Sequence, residues 1–258
     1  SQYELSLNDV RYEHFLRKLV SHLQEIFRRK GHSDEIENSL WLLRLFRSLI
    51  ESKWKMSISE RDEDGGGVED KAAENVMNIL CEAGILEVCL NIVVSAGDDL
   101  PFHRIEALNL CVAMVSDLST ALLFSSQFIP RSQLFKEGGN LVVQTRIYSH
   151  LVVHSSYFFV QVIRILDGLM SWHSTDKTEI DELPEEYIII RFLQLLCEGH
   201  YKPNQDLLRD AILGTHVNII DKLIDYAQIL EPERNQHSLI ACSGLYATIL
   251  ELIQGPCE

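Results

Sequence analysis

Two glutamates stand where a carboxylate is least favoured by its own backbone. Glu198 directly precedes Gly199 at the carboxyl end of one helical run, and Glu251 falls in the last turn before Gly255 and Pro256 end another. A carboxylate at the negative pole of a helix loses about 0.3–1 kcal/mol relative to a neutral placement. The same helix ends leave backbone carbonyls without intrahelical partners. Carboxylate and carbonyl oxygens gathered at one point are hard ligands, and they suit Ca²⁺ better than a transition metal. The bland reading of the same residues is a pair of solvated glutamates at ordinary helix ends.

Other groupings offer less. His150 and His154 share one helix face, as two zinc ligands can, but no Glu follows His150 as it does in zinc peptidases. Cys197 and His200 make half of a zinc motif with no second half at finger-like spacing, so a buried thiol beside a turn is expected. Gly65, Gly66 and Gly67 lack a following Lys-Ser or Lys-Thr and a preceding strand, which excludes a P-loop. No nucleophile elbow occurs, and the chain is not expected to be an enzyme.

The elements that position these residues read as helices throughout. Phe15, Leu16, Leu19, Val20, Leu23, Ile26 and Phe27 recur at spacings of three and four until Gly31. Ser33, Asp34 and Glu35 suit a helix start, and the period returns through Leu42, Leu45, Phe46, Leu49 and Ile50. An N-terminal helix pair over 1–56 is therefore expected, followed by a disordered acidic, glycine-rich loop over 57–70. A helical block over 71–172 follows. It runs past Gly84 to Val93, resumes from Ile105 to Met114, meets an insertion at 116–132, and restarts at Asn140, a sound N-cap for Val143 to Val152. Tyr157 to Trp172 reads as another buried helix.

The polar stretch 173–183 reads as a linker. Pro184, with Glu185 and Glu186, opens the last block, 184–258, whose first helix ends at Gly199. Three further helices are expected, Asn204–Leu213, Val217–Leu230 and His237–Ile253. No strand with a two-residue period is convincing, so the fold class is all-α, an armadillo-like α-solenoid of stacked antiparallel helix pairs.

Composition sets the outer bounds. The 258 residues include 23 Lys and Arg against 38 Asp and Glu, a net charge of −15, which argues against a phosphate-backbone partner. With 46% hydrophobic and 24% charged residues the chain is of globular type. Its longest apolar stretches, Ile85–Val94 and Tyr157–Met170, are interrupted by polar residues, so no transmembrane segment is expected. Ser1–Val10 carries neither a basic head nor an apolar run, and the absence of an initial Met suggests an excised segment. The six cysteines sit inside apolar patterns, as buried thiols do in reducing compartments.

Residues 191–200 (RFLQLLCEGH), with Gln205, Leu208 and Arg209, resemble the segment RFLQLLCENH…LR of inositol trisphosphate and ryanodine receptors. Residues 251–257 (ELIQGPC) resemble their EYxQGPC segment, and residues 215–226 (THVNIIDKLIDY) the helix between the two. Upstream, Phe102, His103, Glu137–Asn140 and Gln144 resemble the FHES…LEGGNxxxQ stretch of the trisphosphate receptors.

This resemblance implies the third cytosolic armadillo solenoid, with its RIH-associated segment, of an intracellular Ca²⁺-release channel. Such a channel is a homotetramer at the cytosolic face of the endoplasmic reticulum membrane. The partners would be other domains of the same subunit, with no nucleic acid among them. In that family the two matching glutamates furnish the protein side of the activating Ca²⁺ site, completed by a backbone carbonyl outside this chain. Those roles fall on Glu198 and Glu251, with His200 and Gln254 as surrounding residues. Gly199 stands where the family has Asn, Tyr201 replaces a second Asn, and Leu252 replaces an aromatic. Lacking the bridging carbonyl, this chain alone is expected to bind Ca²⁺ weakly, on the order of 10⁻⁴–10⁻³ M. The alternative reading is a helical-repeat scaffold for protein partners without a metal site.

Overall fold

The computed structural model describes residues 10–29, 31–59, 70–96, 99–116, 140–167, 185–198, 201–210, 218–234, 250 and 253. Among them every regular element is an α-helix and no strand occurs, as the apolar periodicity requires. The chain divides into two compact units, Ser1–Leu134 and Phe135–Glu258. The division falls inside the 71–172 block, so the helix after Asn140 groups with the elements that follow it. The linker expected at 173–183 and the insertion core at 117–132 lie outside the described residues.

The first unit holds α1 (Val10–Arg29), α2 (Ser33–Ser59), α3 (Asp70–Glu82), α4 (Ile85–Ser95) and α5 (Pro101–Val115). Leu16, Val20, Leu23 and Ile26 form the buried stripe of α1, while Phe15, read into that stripe from spacing, is 53% exposed. The buried face of α2 is Ser39, Leu43, Phe46 and Ile50, whereas Leu45 is 42% exposed. A run of apolar residues on both sides of the true face hid its phase. Helix α2 continues to Ser59 and α3 starts at Asp70, so the expected loop narrows at both ends, with 60–69 outside the described residues.

Between α1 and α2 the Gly31 amide donates to Ile26 O at 3.0 Å, and the Glu35 carboxylate accepts from the His32 amide at 3.2 Å, closing the start of α2. Gly84 separates α3 from α4 with a left-handed backbone, φ +89°. An L side chain is disfavoured there, which is why the helical period is interrupted at this residue.

Helix α5 packs on α2 and α4. Its seam with α2 is polar. Glu106, 5% exposed, accepts from Arg47 Nε at 2.5 Å and Nη2 at 3.4 Å, with Arg44 Nε at 3.8 Å. His103 Nε2 donates to Ile36 O at 2.7 Å, and its ring meets Phe27 edge-on at 6.0 Å.

The second unit holds α6 (Leu141–Asp167), α7 (Glu185–Cys197), α8 (Lys202–Arg209) and α9 (Ile219–Arg234). Asn140 caps α6 as expected, its Oδ1 accepting from the amides of Val142 at 3.1 Å and Val143 at 3.2 Å. The two helices read from sequence on either side of 153–156 are present as the two halves of α6, which meet at a kink at His154, φ −119° and ψ 15°, with 168–172 outside the described residues. Helix α7 is buried from Ile188 to Cys197 on almost all sides except Gln194, the mark of a central core helix. Phe158 of α6 meets Phe192 of α7 edge-on at 6.1 Å. Tyr226 Oη of α9 donates to Asp167 Oδ1 at 2.8 Å.

Two substitutions test these constraints by chemical denaturation. Arg47→Met strips the better-placed partner from the buried Glu106 carboxylate and is expected to destabilise the first unit by about 1–3 kcal/mol. Gly84→Ala forces an L residue into the left-handed region and is expected to cost about 1–2 kcal/mol. Wild-type denaturation midpoints in both would overturn the packing described for this unit.

Candidate functional site

The carboxyl end of α7 lies inside the second unit, so its terminal carbonyls need partners from elsewhere in the chain. A Gln side chain from α6 supplies most of them. Gln144, 1% exposed, directs its Nε2 to Leu195 O at 2.9 Å, Leu196 O at 3.3 Å and Glu198 O at 2.9 Å. Asn204, 1% exposed on α8, adds its Nδ2 to Leu196 O at 2.9 Å. Helix α7 is thus closed by two side-chain amides from two neighbouring helices.

Glu198 follows the last residue of α7 on this capped turn, partly buried, with its Oε2 shielded from solvent. Asn204 Oδ1 is a second buried oxygen, and it has no hydrogen-bond donor. The position of Glu198 at a helix terminus agrees with the sequence reading. The carbonyls of that terminus do not: those of Leu195, Leu196 and Glu198 already accept from Gln144 and Asn204. A carboxylate oxygen and an amide oxygen are both hard donors of the kind Ca²⁺ takes. Glu251, His200 and Gln254 lie outside the described residues.

The zinc alternatives fare differently. His150 and His154 do come together, with ring centroids 4.8 Å apart. Among the described residues no group of three or more His, Cys, Asp or Glu side chains is placed to hold a metal. Cys197 is buried, and burial pushes its thiol up to about 12, opposite to what a zinc thiolate requires. Burial and then the bond to Asp167 likewise push the Tyr226 phenol up.

Sequence reasoning placed Gln144 only within a motif and Asn204 only within a helix. A signal for Gln144 was present: it is a polar residue on the inward face of a run containing Val143, Ile147 and Leu151. A polar side chain at such a position must find buried partners.

Residues 185–258 match the family model described as RyR and IP3R Homology associated. The matched span contains both Glu198 and Glu251. No solved structure matches the chain.

The thiol environment is testable in two ways. Cys81, Cys89, Cys111 and Cys197 are buried and are not joined in disulfides, and each is expected to resist iodoacetamide in the native chain at pH 8 and to react on unfolding, as read by mass spectrometry. The raised pKa of Cys197 gives stability that is fully present below the ordinary thiol value of 9.0 and is lost as pH rises towards about 12. Alkaline unfolding is therefore expected to shift to higher pH in Cys197→Ala, provided that variant retains the native packing. An unshifted transition would remove Cys197 from the account.

Proposed function

We propose, from the match of residues 185–258 to the family described as RyR and IP3R Homology associated, that the chain is a region of a channel of that kind and forms its Ca²⁺-sensing solenoid. Glu198 and Glu251 supply the carboxylates, His200 and Gln254 surround them, and a carbonyl from beyond this chain completes the site. The observation that carries the reading is the Glu198 carboxylate, set with Oε2 buried on a turn whose own carbonyls are already engaged. No transition-metal chemistry is needed: two carboxylates balance the charge of Ca²⁺ and a carbonyl adds a further hard oxygen ligand. The helix packing of each unit is compatible with stacked helix pairs, and the site is assigned to the cytosolic side of the endoplasmic reticulum membrane, in a tetramer.

Bridging by Ca²⁺ biases two arrangements of the subunit only by its difference in affinity between them. The chain's role is then to hold one half of the bridge in fixed geometry. A second reading, a protein-binding scaffold without metal, draws on the exposed apolar residues Leu141, Val142, Val153 and Tyr157 of α6.

The test is a Ca²⁺ titration of gating in the channel that carries this region, reconstituted in a bilayer. The Glu198→Gln and Glu251→Gln double substitution is expected to move activation to Ca²⁺ concentrations at least tenfold higher, roughly 1.4 kcal/mol or more, with agonist binding retained. An unchanged activation curve overturns the sensor reading and leaves the scaffold. The chain by itself is expected to bind Ca²⁺ with a dissociation constant on the order of 10⁻⁴–10⁻³ M, and submicromolar binding would contradict completion from outside.

A further inference from the structure

Gln144 carries more hydrogen bonds to one turn than closure of a helix end requires. Its Nε2 lies 2.9 Å from Leu195 O and 2.9 Å from Glu198 O, the latter being the backbone of the very residue whose side chain is the candidate ligand. The amide is held in turn by α6, where Val143, Ile147 and Leu151 bury the same face and Asn140 caps the start. Gln144 is itself 1% exposed, so its side chain has little freedom to swing away. A carboxylate is aimed by the backbone that carries it, and Gln144 fixes that backbone from a helix lying more than fifty residues upstream.

We propose that Gln144 is a positioning residue for a cation-binding carboxylate: through its amide on Leu195 O and Glu198 O it sets the direction in which Glu198 is presented. Asn204 supports the same turn through Leu196 O at 2.9 Å. The inference rests on the reading of Glu198 as a ligand. Its physical basis is general, because residues that orient a metal ligand typically change affinity about 10–100-fold when replaced.

The experiment uses Tb³⁺, a hard cation that stands in for Ca²⁺, with luminescence titrations of the full chain in four forms: wild type, Gln144→Met, Glu198→Gln and the double substitution. Met keeps the length of the side chain and removes its donor. Gln144→Met is expected to raise the half-saturating Tb³⁺ concentration about tenfold or more. The double substitution is expected to match Glu198→Gln alone, since a residue acting through Glu198 has nothing left to aim.

Loss of affinity in Glu198→Gln with none in Gln144→Met overturns the positioning role and leaves the ligand reading intact. Unchanged binding in Glu198→Gln overturns the ligand reading, and the positioning role with it. Independent, additive losses show that Gln144 acts on general stability and also overturn the proposal. Should Gln144→Met fail to fold, as read by circular dichroism, Gln144→Asn takes its place. It retains the amide one methylene short and is expected to give the same weakened binding, and wild-type binding in it overturns the proposal.

Discussion

The second unit depends on ending a helix indoors. A helix that stops at the surface leaves its last carbonyls to water, but α7 stops among buried side chains, where an unsatisfied carbonyl costs about 1–3 kcal/mol. The neighbours must therefore bring donors, and they bring the two amides of Gln144 and Asn204. Much of the local arrangement follows from that demand. Helix α6 has to run past the end of α7 with Gln144 on its inward side, and α8 has to follow after a short connection so that Asn204 can reach back to Leu196 O. The carboxylate of Glu198 then occupies a turn on which the carbonyls of Leu195, Leu196 and Glu198 are already engaged.

The first unit solves a related problem with charge. Glu106 is buried on α5, and an unpaired carboxylate there would carry the full cost of its desolvation. Arg47 meets it along two nitrogens, and Arg44 stands near as a second cation. Beside this cluster His103 donates to Ile36 O, which also accepts from Ser39 Oγ at 2.6 Å. Apolar packing alone tolerates sliding by a turn, whereas these directional contacts fit one alignment of α5 against α2.

The sequence made the helices and the cap at Asn140 legible because both depend on local pattern. Periodicity over twenty residues survives a few misplaced side chains, and an Asn before an apolar run has one obvious use. What it did not show was the phase of α2, where Leu42, Leu43, Leu45 and Phe46 crowd together and only packing selects Leu43 and Phe46. Nor did it show the partners of Gln144 and Glu106. Those bonds span 51 and 59 residues of chain, and no local rule links their ends. Glu198 was visible as an oddly placed carboxylate, but the occupation of the nearby carbonyls was not, since it is decided by a helix far upstream.

The break at His154 divides α6 into two levers with separate anchors. One is seated by Gln144 on the end of α7, the other by Phe158 on Phe192 and by Asp167 on Tyr226. A continuous α-helix of this length is about 40 Å long and behaves as a stiff rod, so a push at one end would arrive at the other. With one residue off the helical path, bending concentrates there. The bend at His154 lets both halves of α6 bear on the one helix α7, the first on its carboxyl end through Gln144 and the second on its flank through Phe158.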